Sequence, residues 1–380
     1  MSTQQQSADR DSNQTDKHFM RRCLSLADQA AGKTSPNPLV GSVIVNQGEV
    51  VGEGFHPGAG QPHAEVFALR AAGDRAQNAT LYVNLEPCNH TGRTPPCTEA
   101  IMAAGIARVV VGMVDPDPRV SGGGIKRLRQ AGLTVTVGIE EVACQQLNEA
   151  FVHSIRYQRP FGILKYAMTL DGKIAASSGH SAWVTGTESR AWVHRLRGRC
   201  DAVIVGGQTV RQDNPRLTTH GQSDHNPLRV VMSHALELPR EAHLWQKDMA
   251  PTLLFCSFQR DVTMQHYLEQ QGIEVVVLPE LEPLSVLAQL QQRGLRSVLW
   301  ECGGQLSASA IAQHCIQKVC AFIAPKIIGG NTAQTPIGEL GFVKMTEALC
   351  MSAVTVNAIG SDSLIQGYLP MPHSETNVSR

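Results

Sequence analysis

His63-Ala64-Glu65, followed by Glu86-Pro87-Cys88-Asn89-His90-Thr91-Gly92-Arg93-Thr94-Pro95-Pro96-Cys97, decides the reading of the first half of this chain. The stretch offers three metal donors of the kind zinc prefers, His63, Cys88 and Cys97, and one carboxylate, Glu65, that need not be a ligand. Catalytic zinc typically keeps three protein ligands and an open position, whereas a closed structural site wants a fourth Cys or His. His63 and Glu65 lie two residues apart at the mouth of a helix. The imidazole can therefore bind metal while the carboxylate reaches the metal's water and shuttles its proton. Zinc brings the pKa of that water toward about 7, giving hydroxide at neutral pH.

Outward from this stretch, hydrophobic periodicity predicts helices over His63–Ala72, Pro96–Ala104 and Gly123–Ala131, and strands over Val40–Val45, Glu49–Phe55, Thr80–Leu85, Arg108–Met113 and Leu133–Val137. Strands alternating with helices argue for a layered α/β sheet. Both metal-bearing segments then fall where a loop enters a helix, and the positive end of the helix dipole favours thiolate and hydroxide. Upstream, residues 1–15 are rich in Gln, Ser, Asn and Asp and read as a disordered tail. Apolar residues at helical spacing from Phe19 to Ala30 predict a helix over Asp16–Ala31, with Asp16 as N-cap. Downstream, Glu140–Tyr157 reads as helix and Arg159-Pro160-Phe161 as punctuation.

A second α/β series begins at Phe161, with strands at Gly162–Ala167, Ala202–Val205, Leu228–Val231, Thr252–Cys256, Val275–Leu278 and Ser297–Glu301. Helices are predicted at Thr187–Arg197, Pro283–Arg293 and Ser307–His314, and strands at Val319–Ala324 and Ala353–Ile359. The expected division is a tail at 1–15, a first domain at 16–152, a linker at 153–160, a second domain at 161–372 and a tail at 373–380. A length of 380 residues is itself too great for one ordinary core.

Composition excludes several function classes. Net charge is zero, which removes the electrostatic footprint of a protein that grips long nucleic acid, so no nucleic-acid partner is expected. No apolar run is long enough for a membrane span and the first fifteen residues lack a signal-peptide core, so a cytoplasmic location is expected. The ten cysteines are scattered without a disulfide framework. A homo-oligomer is left open.

The H-x-E followed by P-C-x-x-C signature of nucleobase deaminases has Glu as general acid/base. Its first half is intact here, while Cys88 and Cys97 are separated by eight residues instead of two. This expanded loop, together with Pro36-Asn37-Pro38-x-Val40-Gly41, resembles the pyrimidine deaminases of riboflavin biosynthesis. The second half resembles the reductase domain that follows the deaminase in the bifunctional bacterial form. The matching positions are Lys165, Leu170–Ala175, Ser181-x-Trp183-Val184-Thr185, Arg197, Gly206-Gly207-x-Thr209-Val210, Asp213-Asn214-Pro215-x-Leu217-Thr218 and Glu301-x-Gly303.

The resemblance implies a cytidine-deaminase-like three-layer α/β/α domain followed by a dihydrofolate-reductase-like α/β domain. It implies deamination of 2,5-diamino-6-ribosylamino-4(3H)-pyrimidinone 5′-phosphate, then NADPH-dependent reduction of the ribosyl chain to ribityl. One zinc ion per chain on His63, Cys88 and Cys97, with Glu65 as proton shuttle and Asn37 as a pyrimidine contact, is implied for the first domain. For the second it implies NADP contacts from Ala167, Trp183, Thr209, Asp213 and Gly303, and substrate contacts from Ser181, Arg197, Leu217 and Glu301.

Two departures stand out. His220 occupies a position where the family often has Arg, so phosphate binding there would be weaker and pH-dependent. Met232-Ser233-His234 replaces a frequent Asp-Ser, and His234 is left out of the NADP set. Taken singly, the residues leave blander roles open. His90 can line the pyrimidine pocket or only hold its loop, Arg93 can satisfy carbonyls, and Asp171 can simply make a turn. Lys165 falls in a buried strand, where an unpaired ammonium is costly, so a polar partner is expected. A base editor of RNA or DNA shares the H-x-E core, but the neutral charge opposes it. A binding module without catalysis is opposed by the presence of Glu65.

Overall fold

The computed structural model describes residues 3–90 and 95–371 and divides the chain into two compact units between Gln158 and Arg159. In the first unit, α1 spans Thr3–Asp28 and precedes β1 (Gly41–Asn46) and β2 (Glu49–Phe55). There follow α2 (Ala64–Ala72), β3 (Thr80–Leu85), α3 (Cys97–Ala103), β4 (Arg108–Met113), α4 (Gly123–Gln130), β5 (Thr134–Val137), α5 (Glu141–Leu147) and α6 (Glu149–Tyr157).

The five strands order as β2-β1-β3-β4-β5; β1 is antiparallel to both neighbours, and β3, β4 and β5 are parallel. Successive strand residues point to opposite faces, and here both faces are buried. Ile44, Leu81, Val83, Val109 and Val111 pack with Ala68, Ile101 and Leu128 of α2, α3 and α4. Their alternates Val43, Tyr82 and Val110 pack with Phe19, Met20 and Cys23 of α1 and Cys144 of α5. The result is the expected three-layer sandwich. Gly52 and Gly54 in β2 let α2 lie close against the sheet: a Cβ would stand 2.3 Å from the Ala68 carbonyl oxygen at Gly52 and 2.4 Å from the Phe67 Cβ at Gly54.

Several boundaries differ from the sequence reading. The helix predicted to start at Asp16 runs back to Thr3, through most of the segment read as a disordered tail. Asp16 is consequently not a cap but a buried ion-pair partner: Arg108 donates to its two oxygens at 2.9 and 2.6 Å and the Tyr82 hydroxyl donates at 3.0 Å. The helix expected over 140–157 is broken at Asn148, whose carboxamide takes the Leu39 N–H and donates to the Leu39 carbonyl. The expected linker at 153–160 is largely the end of α6, which runs to Tyr157. The tail expected at 373–380 lies outside the described residues.

The second unit holds β6 (Phe161–Thr169), α7 (Thr187–Arg197), β7 (Ala202–Gly206), α8 (Gly207–Asp213), β8 (Leu228–Met232), β9 (Thr252–Cys256), α9 (Val262–Gln270) and β10 (Glu274–Val277). It continues with α10 (Pro283–Gln292), β11 (Ser297–Trp300), α11 (Gly304–Ala312), β12 (Lys318–Ala324), β13 (Ser352–Ile359) and β14 (Asp362–Tyr368). Of these, α8 and α9 were not predicted.

The sheet has nine strands in the order β10-β9-β8-β7-β11-β6-β12-β14-β13, parallel from β10 to β12, with β14 antiparallel to both of its neighbours. The chain leaves β6 and β7 on either side of β11, so the crossovers diverge at this point. In open α/β sheets ligands bind outside the carboxyl ends of strands at such switch points. All ten cysteines are free thiols, and no helix among the described residues is long and apolar enough to cross a membrane.

Candidate active sites

His63 stands immediately before α2, Glu65 lies in the first turn of α2, and Cys97 is the first residue of α3. Cys88 lies in the segment after β3, beyond Glu86 and Pro87. The sheet layer brings these distant segments to one place. The ligand atoms of His63, Cys88 and Cys97 all lie within 4.8 Å of one another. The His63 Nδ1 is 3.2 Å from the Cys97 Sγ and 3.5 Å from the Cys88 Sγ, and the Cys97 N–H donates to the Cys88 Sγ at 3.3 Å.

These separations suit the edges of a tetrahedron whose metal bonds are about 2.0–2.3 Å, and a His plus two thiols is a zinc donor set. The electrostatics agree. The hydrogen bond from Cys97 and the His63 ring hold the Cys88 thiol well below its ordinary range, while that same bond and burial push Cys97 up. Two thiols in such proximity ionise together only with a cation between them.

Glu65 is 3% exposed, and its Oε2 is a buried acceptor with no hydrogen-bond partner among the described residues. Burial raises its carboxyl above the ordinary value, as suits a proton carrier. Asn37 is drawn to this centre through His56, a residue the sequence reading passed over. The Asn37 Nδ2 lies 3.0 Å from the His56 Nε2, the His56 Nδ1 lies 3.0 Å from the Pro62 carbonyl oxygen, and the ring meets that of His63 edge-on at 5.6 Å. With Nδ1–H donating to Pro62, the Nε2 is left to accept from Asn37. His90 is exposed, and Arg93 lies outside the described residues.

In the second unit, a cavity of about 1110 Å³ opens at the switch point. Each position expected to contact NADP or substrate lines it, as does Lys165: Lys165 and Ala167 from β6, Ser181 and Trp183 from the following loop, and Arg197 at the end of α7. Thr209 and Asp213 of α8, Leu217, and Glu301 and Gly303 after β11 complete the set. His234, left out of the expected NADP set, also lies in the wall.

At the centre is a buried ion cluster. Glu301 accepts from the Lys165 Nζ at 2.7 Å, from the Arg197 Nε at 2.6 Å and from the Arg197 Nη2 at 3.0 Å, and Arg197 also donates to the Thr218 carbonyl at 2.9 Å. Burial pushes the Glu301 carboxyl up, but the two cations outweigh it and hold it well below the usual carboxylate range. The polar partner expected for Lys165 is thus Glu301.

At the mouth, Ser181 donates to Asp213 at 2.7 Å. Trp183 is 69% exposed with φ +64°, its ring under the Arg190 guanidinium at 4.4 Å and its carbonyl bound by Lys326 at 2.6 Å. The left-handed backbone costs energy at any non-glycine residue, and the contacts with Arg190 and Lys326 hold Trp183 in it. Asp171 sits in the turn after β6, where its carboxylate accepts from the Gly329 N–H at 2.7 Å and the Ile328 N–H at 3.3 Å and so ties that turn to the segment at 328–329. His220 does not line the cavity. It stacks on His194 at 4.2 Å, and burial with the nearby Arg197 charge pushes His194 down to about 4 and lowers His220.

Comparison with known proteins fits both halves. The family model for the cytidine and deoxycytidylate deaminase zinc-binding region matches residues 13–113, and that for the RibD C-terminal domain matches residues 160–365. Riboflavin biosynthesis protein RibD of Synechocystis sp. is 62% identical over 93% of this chain and 96% of its own length. The RibD of Aquifex aeolicus is 41% identical over 92% of this chain and 97% of its own. The solved structure of Acinetobacter baumannii RibD superposes with a TM-score of 0.84 at 34% identity, covering 94% of this chain and all of that one. A diaminohydroxyphosphoribosylaminopyrimidine deaminase/5-amino-6-(5-phosphoribosylamino)uracil reductase from Thermotoga maritima gives 0.84 at 34%, over 95% of this chain and 100% of that chain. The chain therefore belongs to the RibD family of riboflavin biosynthesis, joining a zinc-binding deaminase and a nicotinamide-dependent reductase in one polypeptide.

Proposed function

We propose that the first unit removes the ring amine of 2,5-diamino-6-ribosylamino-4(3H)-pyrimidinone 5′-phosphate and that the second reduces the ribosyl chain of the product with NADPH. The observation that carries the first half is the convergence of His63, Cys88 and Cys97 beside the unpartnered Glu65 Oε2. These three side chains hold one zinc ion per chain. Zinc, when bound, supplies the Lewis acidity that makes water a nucleophile at neutral pH. Glu65 takes a proton from that water and returns it to the departing amine, so water in and ammonia out balance. Asn37, oriented by His56, fixes the pyrimidine.

In the second unit, Ala167, Trp183, Thr209, Asp213 and Gly303 hold NADPH, while Ser181, Arg197, Leu217 and Glu301 bind the ribosyl phosphate. The Arg197–Glu301–Lys165 cluster gives the cavity a fixed charge pattern for an anionic substrate.

Supplying the diaminopyrimidine ribosyl phosphate while following ammonia and NADPH absorbance together tests both halves. Ammonia should appear first, with equimolar NADPH oxidation after it. Removing the metal with a chelator should stop ammonia release yet leave NADPH oxidation intact when the deaminated compound is supplied directly. NADPH oxidation without ammonia, or deamination unaffected by chelation, would overturn the assignment.

The chain acts, in this reading, in the cytoplasm and as a homo-oligomer. The oligomer is supported by β13, which lies at the edge of the nine-stranded sheet with Val354 49% and Val356 65% exposed. A bare apolar edge strand is a template for pairing, and antiparallel pairing with the same strand of a second copy closes it symmetrically. Val356→Lys should shift the sedimentation coefficient toward the monomer, and a wild-type coefficient in this variant would exclude β13 as the interface.

A further inference from the structure

Glu86 opens the second half of the ligand stretch, and none of the chemistry above uses it. Its side chain is buried, two residues before Cys88. Both carboxylate oxygens are fully engaged. Oε1 accepts from the N–H groups of Gly124 at 2.9 Å and Ile125 at 3.1 Å; Oε2 accepts from Gly122 at 2.9 Å and Asp115 at 3.2 Å. Three of these four donors belong to the turn that begins α4, where backbone N–H groups have no partner within the helix. Gly122, at the N-cap position of α4, has no side chain to serve them. A carboxylate from the end of β3 therefore does the capping, and its charge complements the positive end of the helix dipole.

The consequence falls on Cys88. The Glu86 N–H is tied to the Met113 carbonyl at 3.0 Å, and Pro87 restricts the backbone that follows. The first turn of α4 lies so close behind this segment that a Cβ on Gly124 would stand 2.0 Å from the Pro87 carbonyl oxygen. From the other side, the Thr98 N–H donates to the Cys88 carbonyl at 3.2 Å and the Cys97 N–H to its Sγ at 3.3 Å. Residues 86–88 are thus gripped between the first turns of α3 and α4. Glu86 is the side chain that fastens the α4 side.

We propose that Glu86 is a positioning residue for Cys88: by capping α4 it sets where the Cys88 thiolate meets the metal. The inference rests on reading His63, Cys88 and Cys97 as a zinc site. Four N–H donors face two carboxylate oxygens, so a carboxamide cannot replace them: its single oxygen leaves part of the set unmet, and its NH₂ turns donor against donor. An aspartate keeps the charge but is one methylene short.

The test uses the full-length chain with Glu86→Gln and Glu86→Asp. Readouts are zinc affinity by competition with a chromophoric chelator, the thiolate-to-cobalt charge-transfer band of the Co²⁺-loaded protein, and kcat and KM for ammonia release. Altered partners around metal ligands typically cost about 10–100-fold in metal affinity or activity. Glu86→Gln should weaken zinc within that range, shift or weaken the cobalt band, and lower kcat at saturating zinc with KM little changed. Glu86→Asp should fall between it and the wild type. NADPH oxidation with the deaminated substrate should be unchanged in both. Wild-type zinc affinity and cobalt band in the folded variants would overturn the inference, whatever their melting temperatures. If Glu86→Gln does not fold, Glu86→Asp decides by the same two readouts. A wild-type chain that binds neither ion would overturn the zinc reading and this inference together, whereas wild-type binding with native variants overturns this inference alone.

Discussion

Glu65→Gln should keep zinc at the wild-type level and lower ammonia release by about 10²–10⁴-fold, the usual contribution of a positioned general acid/base. Glutamine has the same shape, so the buried space in the first turn of α2 stays filled and the His63 position before that turn is not disturbed. What is lost is a group that can carry a proton. The Glu65 Oε2 is buried and has no hydrogen-bond partner among the described residues, so it is free to take the proton. Burial raises the carboxyl, which brings its two protonation states closer in energy and suits it to take a proton and give it back. Ammonia release, zinc content and NADPH oxidation should be measured on one sample. Deamination at the wild-type rate would remove Glu65 from the proton path, and loss of zinc would make it a ligand instead. NADPH oxidation with the deaminated substrate is the internal control and should not change.

The sheets were legible because their signal is local. Val109 and Val111 face one core and Val110 the other, and the uninterrupted apolar run of β4 is what a strand buried on both faces requires. The proposed zinc donors, His63, Cys88 and Cys97, stood out in the sequence because only a few residue types can do that chemistry. Roles that depend on where the chain returns were not. Asp16 before an apolar run has the look of a helix cap; only Arg108, ninety-two residues later, makes it an ion-pair partner. Glu86 meets its donors through the return of α4, and His56 gains its role through Asn37 and Pro62. The extension of α1 to Thr3 escaped for a different reason: once a helix is nucleated by packed residues such as Phe19 and Met20, propagation adds one hydrogen bond per residue fixed, which composition does not register. The short α8, headed by Gly207, shows only seven residues of pattern, too few to separate a helix from the glycine turn that was read there.

Glu301→Ala should destabilise the second unit by about 3–5 kcal/mol, the cost of leaving buried charge without its partner, and should abolish NADPH oxidation. The carboxylate bridges Lys165 in the middle of β6 and Arg197 at the end of α7, whose side chains are only 17% and 11% exposed, so apart from the cavity they line, Glu301 is their principal charge partner. The sign of the pH dependence follows from the same geometry. The Glu301 carboxyl has an ordinary value of 4.5 and is held well below it in the folded chain, so in acid the unfolded chain binds the proton first. Its contribution is complete above the unfolded value and is lost as pH falls toward the folded one. Urea denaturation of the second unit at a series of acidic pH values should therefore show the wild type losing stability steeply below about pH 4.5 and the variant losing less. Parallel acid slopes would mean that Glu301 does not carry this linkage. Wild-type stability at neutral pH would mean that Lys165 and Arg197 find other partners when it is removed, and the cluster would then be a feature of the cavity wall with no part in holding the fold.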